Sequence, residues 1–145
     1  MKQSKGFTLI ELLIAVAIVG IISAVAYPSY QSSIIASRRA DAKAALVGFA
    51  QAMERYYTNN GTYTGAAESD ADSGSPTIYS TTSPLDGSDI YYNLTIDSST
   101  DSAYLLKADP VNSQDGDGML TISSTGLKGW DEDDDGTISS SEEEW

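Results

Sequence analysis

The sequence contains no cysteine and no histidine. Without cysteine, no disulfide can staple the fold and no thiolate chemistry is open to it. Without either residue, the usual zinc ligands and the commonest general base are missing too. Basic residues are scarce: 8 Lys and Arg stand against 21 Asp and Glu, a formal net charge of −13. The shortage is regional, since from Gly61 onward 18 of the acids are answered only by Lys107 and Lys128. Such a surface repels phosphate backbones, so no direct nucleic-acid site is evident in that half. It attracts cations, calcium first among them. No nucleophile–base pairing stands out, and the chain is not expected to be an enzyme. With 145 residues there is room for one compact domain and an appendage.

Residues 1–6 are short and polar, with Lys2 and Lys5. Phe7 to Tyr27 is an apolar run of 21 residues, interrupted mainly by Thr8, Glu11 and Ser23. As a helix it would be roughly 31 Å long, about one bilayer core. The preceding lysines suit a cytoplasmic flank. We therefore expect a membrane or filament-core helix half over 7–30. The periodicity continues beyond it: Ile35, Ala42, Leu46, Phe49, Ala50, Met53 and Tyr57 recur at helical spacing. Pro28 should kink this helix rather than end it, because the pattern resumes. Residues 31–60 thus read as an amphipathic half packed on a head domain, stopped by Asn59-Asn60-Gly61.

Residues 61–89 are rich in Gly, Ser, Thr and Asp and are expected as a surface loop. Ile90 to Ile96 alternates cleanly, with Ile90, Tyr92, Leu94 and Ile96 on one face. Tyr104–Ala108 and Met119–Ser123 are shorter strand candidates, and Asp115-Gly116-Asp117-Gly118 is a turn between them. Residues 90–128 should form a small antiparallel sheet against the helix. The fold class is α+β.

Lys5-Gly6-Phe7-Thr8-Leu9-Ile10-Glu11 resembles the prepilin processing site of type IV pilins. The resemblance continues through Ala26-Tyr27-Pro28-Ser29-Tyr30, Arg38-Arg39-Ala40-Asp41-Ala42 and Glu54-Arg55-Tyr56-Tyr57. It covers about the first 63 residues, and the six-residue leader is similar to that of the type IVa branch. The resemblance implies the pilin fold, with one long Pro-kinked helix on an antiparallel sheet. It also implies cleavage between Gly6 and Phe7 by prepilin peptidase, and N-methylation of Phe7. Glu11 would then pair with the N-terminal amine of a neighbouring subunit. Further implied partners are other pilins, an assembly platform and the inner membrane, which a single-pass precursor would leave to join an extracellular homo-oligomeric filament. Physical chemistry gives Glu11 its own significance, because a carboxylate in the bilayer core costs a few kcal/mol and calls for a partner. Loss of the leader removes two lysines, taking the side-chain charge from −13 to −13 − 2 = −15.

Residues 129–145 form a separate acidic module. Asp131 to Glu142 fits the twelve-residue EF-hand calcium pattern at each defining position. Asp131, Asp133 and Asp135 would supply carboxylates at positions 1, 3 and 5, and Gly136 the sharp turn. Thr137 would offer its carbonyl, Ser139 the water-mediated position, and Glu142 the bidentate closing ligand. The flanks depart from that pattern, since Gly126 and Gly129 disfavour an incoming helix. A lone loop of this kind should bind Ca2+ weakly, at about 10⁻⁴ to 10⁻³ M. Type IV pilins commonly close the C-terminal region with a disulfide, and here a calcium ion is expected to replace that staple.

Three other readings share parts of these features. A pseudopilin of a type II secretion system has the same processing site. A secreted calcium-binding module would be released at Ala24-Val25-Ala26, an A-x-A pattern. A plain membrane anchor would carry Glu11 by chance. Against release at Ala26 stand Glu11 within the apolar run and the amphipathic helix that continues past it.

Overall fold

The computed structural model describes residues 6–87, 89–139, 141–142 and 145. It divides into two units, 1–36 and 37–145. Helix α1, Leu9–Asn60, contributes to both and passes through Pro28 without interruption. Its N-terminus is fixed by a reciprocal capping box. The Thr8 hydroxyl accepts the Glu11 amide at 3.3 Å, and the Thr8 amide donates to the Glu11 carboxylate at 2.8 Å. The C-terminus closes on Gly61, whose left-handed φ of 75° lets its amide reach the Tyr57 carbonyl at 2.7 Å. In the first unit the side chains from Phe7 to Tyr27 are all exposed. That run is long and apolar enough to cross a membrane.

The second unit, the head, has its own core. The helix buries Ala42, Ala45, Leu46, Phe49 and Met53, spaced three and four apart. They meet Tyr92, Leu94, Ile96, Leu106, Ala108, Leu120 and Ile122 from the sheet. Five strands run in sequence order and all pair antiparallel: β1 Thr82–Ser83, β2 Tyr92–Ser99, β3 Tyr104–Pro110, β4 Leu120–Ser123 and β5 Lys128–Trp130. Alternation in β2 buries Tyr92, Leu94 and Ile96 against the helix, and a bulge between Ile96 and Ser98 ends the strict register. Ile90, expected on this inner face, lies before the strand and is exposed.

The segment 61–89 is more than a surface loop. It buries Tyr63, Ala66, Ala67 and Ser83, contributes edge strand β1, and adds bridges Ala67–Pro76 and Gly74–Ile96. Tyr79 stacks on Phe49 with centroids 5.3 Å apart. It lies so close over Gly48 that a Cβ there would sit 2.4 Å from its hydroxyl. Tyrosine replaces aliphatic packing because the segment is polar and each ring brings large apolar area with a hydroxyl that still finds water or a partner.

Candidate functional site

Three constellations carry chemistry. The first is the N-terminus. Gly6, Phe7 and Thr8 precede the helix in non-helical backbone, and Gly6 and Phe7 are exposed. Met1–Lys5, the rest of the expected leader, lie outside the described residues. Glu11 Oε2 accepts both the Thr8 amide and the Thr8 hydroxyl, at 2.8 and 2.7 Å. A single subunit thus holds the carboxylate one turn from the start of the helix, where the helix dipole favours an anion.

The second is a buried polar knot in the head. The turn after β3 delivers Asp117, whose side chain is 6% exposed, to Arg39 on the helix. Its Oδ2 accepts Arg39 Nε at 2.8 Å, Gln114 Nε2 at 2.8 Å and the Tyr92 hydroxyl at 2.5 Å. Its Oδ1 pairs with Arg39 Nη2. The guanidinium in turn lies 3.7 Å from the Trp130 ring centroid, and Trp130 Nε1 donates to the Asp117 carbonyl at 2.7 Å. Burial works to raise the Asp117 pKa, but the bonds from Arg39, Tyr92 and Gln114 outweigh it and hold the carboxyl below its usual range. The Tyr92 phenol is pushed up, first by burial and then by Asp117.

The third is the C-terminal acidic loop, entered from strand β5 rather than from a helix. Asp131 is 1% exposed, and its carboxylate accepts the Asp135 and Gly136 amides at 3.0 and 2.9 Å. Gly136 has the left-handed φ of 85° that this turn requires. Asp131, Asp133 and Glu142 place carboxylate oxygens within 4.8 Å of one another. Glu142 closes the loop, accepting the Glu132 amide at 2.9 Å and the Ser139 amide at 2.8 Å. Desolvation, then repulsion from Asp135 and Glu142, raises the Asp133 pKa. Bonds from Ser139 lower that of Glu142. Of the four expected carboxylate ligands the structure gathers these three. Asp135 instead accepts the Thr137 amide and hydroxyl at 2.8 and 2.6 Å, and the Ser139 hydroxyl pairs with Ser141 at 2.9 Å.

The loop is fastened to the sheet. The Asp131 amide donates to the Met119 carbonyl at 3.0 Å, and the Trp130 amide to the Glu142 carbonyl at 3.0 Å. Ile138 packs over Gly129, where a Cβ would meet it at 2.7 Å. Trp145 Nε1 donates to the Thr121 carbonyl at 3.2 Å, and its ring receives Lys128 and Lys43 at 4.7 and 5.4 Å.

Comparison with known proteins places these features. Residues 1–27 match the prokaryotic N-terminal methylation motif. Residues 28–121, well over half the chain, match the family described as type IV minor pilin ComP, DNA uptake sequence receptor. The chain belongs to this type IV pilin family. A fimbrial protein of Neisseria meningitidis serogroup B is 46% identical over 61 residues, 42% of this chain and 36% of that one. A Pseudomonas aeruginosa fimbrial protein is 68% identical over 31 residues, 21% of this chain and 20% of that one. The chain spans about two fifths or less of the length of the curated relatives it first matches. The crystal structure of the Neisseria meningitidis non-core minor pilin PilV superposes with a TM-score of 0.51. That superposition is at 23% identity and covers 67% of this chain and 86% of PilV, a likeness of fold.

A pilin is a structural protein, and no enzymatic role attaches to the family. The family match stops at residue 121, so β5 and the acidic loop lie beyond it. What the sequence reading missed in this pilin is the knot around Asp117. In the sequence Arg39 lies off the apolar stripe of the helix, and Asp115-Gly116-Asp117-Gly118 reads as a turn. The one available hint was Tyr92, a buried-face tyrosine whose hydroxyl needs a partner.

Proposed function

We propose that this pilin is processed between Gly6 and Phe7, methylated on the Phe7 amine, and built from the inner membrane into an extracellular filament. The observation carrying the reading is the exposed apolar run with Glu11 as its lone acid. Lipid can cover the apolar side chains but cannot neutralise a carboxylate. Cleavage after Gly6 creates a cationic amine one turn away, and in a filament a neighbour's amine can replace the Thr8 contacts that Glu11 makes in the single subunit. The uninterrupted helix through Ala26 and the match of residues 1–27 support processing at Gly6 over release at Ala26. The matches to fimbrial proteins support a pilus role over a secretion pseudopilin. Glu11→Gln should leave processing intact, with Phe7 as first residue, and abolish surface filaments seen by electron microscopy. Abundant filaments from Glu11→Gln would overturn the assembly role.

The acidic loop fits a calcium ion. Asp131, Asp133 and Glu142 bring hard oxygen donors within 4.8 Å of one another, and the repulsion of Asp133 by Asp135 and Glu142 is what a cation relieves. Asp135, Thr137 and Ser139 would join by modest rotation in a loop of polar residues. Bound calcium would hold the C-terminal segment closed, the role a disulfide plays where cysteines exist. Isothermal titration of the intact pilin in detergent with Ca2+ should give one weak site, and none in Asp133→Asn.

The family description supports a second reading, DNA reception. The head carries 20 acids against 6 bases, a charge of −14, so contact with DNA would rest on a few cations. Binding that falls steeply with salt and prefers one sequence would support it. No binding at 50 mM salt would remove it.

A further inference from the structure

The two most exposed large apolar side chains described in the head are Leu85, 56% exposed, and Leu127, 52% exposed. They lie at opposite edges of the sheet. Leu85 follows edge strand β1 and Leu127 precedes edge strand β5, with β2, β3 and β4 between. Four inter-strand spacings put those edges roughly 19 Å apart.

The surroundings of the two differ in a complementary way. Leu127 borders a groove of about 460 Å³ that also takes in Leu105, Met119 and Ile138. The same groove holds Lys107 and Lys128. These are the only basic residues after Gly61, where 18 acids lie, yet both line one cavity. Lys107 meets Asp109 at 3.2 Å but stays partly exposed, as does Lys128, so both ammonium groups keep donors for an incoming anion. Leu85, by contrast, is followed by the exposed carboxylates Asp86 and Asp89. One edge is an apolar knob with negative flanks, and the other a largely apolar groove whose walls carry two lysines against one acid, Asp97.

We propose that Leu85 and Asp86 of one copy seat in the Leu127–Lys107–Lys128 groove of a second copy. Leu85 would cover Leu127 and Leu105, and Asp86 would meet the lysine ammonium groups. Knob and groove are different surfaces on opposite edges, so the contact is heterologous and a joined pair keeps one free knob and one free groove. Such a contact propagates as an open assembly instead of closing as a dimer. The acids elsewhere on the head disfavour other approaches between copies, which gives the contact its register. This rests on the filament reading above.

The absence of native cysteine makes the test direct. Full-length Leu85→Cys/Leu127→Cys pilin is assembled in cells, and intact filaments are treated with a short bismaleimide and run on a denaturing gel. Both positions are solvent-facing, so the head core is undisturbed. The double variant should give a ladder of dimer, trimer and higher species, and each single variant should stay monomeric. A second pair guards against failed assembly of the cysteine variants. Asp86→Lys and Lys128→Glu should each lower filament yield, by roughly five-fold, and together restore most of it. Intact filaments of the double-cysteine variant that remain monomeric would overturn the contact alone, as would charge reversals without mutual rescue. Absence of filaments from the unmodified chain would instead remove the filament reading, and this contact with it.

Discussion

Asp117→Ala should be among the costliest single substitutions in the head. The carboxylate accepts from three side chains, and two of them, Tyr92 and Gln114, are essentially inaccessible to water. Removing an acceptor from a buried donor costs about 1–3 kcal/mol each. The Arg39 side chain is 19% exposed and can partly rehydrate, so its loss is at the low end of that for a broken buried pair. The three losses share one carboxylate, and Gln114 Nε2 keeps the Tyr92 hydroxyl at 3.2 Å, so they do not add. The whole is about 3–5 kcal/mol, the range for breaking one buried pair, and a large share of the ~5–15 kcal/mol that holds a domain folded. The head spans 37–145, or 145 − 37 + 1 = 109 residues, and has its own core. At this size the loss corresponds to a drop in Tm of about 10–25 °C. Circular dichroism melting of residues 37–145 measures it, with Asp115→Ala, an exposed neighbour, as a control that should shift little. A drop for Asp117→Ala as small as the control's would refute the reasoning.

The same carboxylate sets an acid limit. Its folded pKa lies below the ordinary value of 3.8. A group depressed in the folded state contributes fully above its unfolded pKa and loses that contribution as pH falls through the folded one. The stability gap between wild type and Asp117→Ala should therefore be constant above about pH 5 and narrow below about pH 4; melting at several pH values follows it. Gly118 has a φ of 75°, and a Cβ there would lie 1.6 Å from the Asp131 carbonyl oxygen, whereas Gly116 has a φ of 84° and open space. Gly118→Ala should thus cost upward of ~3 kcal/mol and Gly116→Ala about 1 kcal/mol, read from denaturant midpoints. Millimolar Ca2+ should raise the Tm of the head, and Asp133→Asn should cancel that rise without lowering the calcium-free Tm. Gly129→Ala, which pushes against Ile138 and Thr121, should weaken the calcium response although it touches no ligand.

Local periodicity made much of the fold legible. The helix stands out because apolar residues recur every three or four positions from Ile35 to Tyr57, and β2 because Tyr92, Leu94 and Ile96 alternate with polar residues. Edge strands β1 and β5 carried no such signal. Thr82–Ser83 is too short to alternate and sits among turn formers, and Lys128-Gly129-Trp130 has a glycine where Ile138 packs. Their pairing is decided by neighbouring strands, not by their own composition. The Arg39–Asp117 pair joins residues 78 positions apart, and nothing local marks either as half of it. The acidic loop was legible as a pattern of residue types, but which of its oxygens converge depended on backbone turns that bring Asp131, Asp133 and Glu142 together and leave Asp135 bonded to Thr137.

Mass spectrometry of protein sheared from the cell surface tests the central claim most directly. The account predicts a mature chain that begins with N-methylated Phe7 and retains Glu11 and the whole apolar run. A chain beginning at Tyr27, or one still carrying Met1 to Gly6, would contradict it.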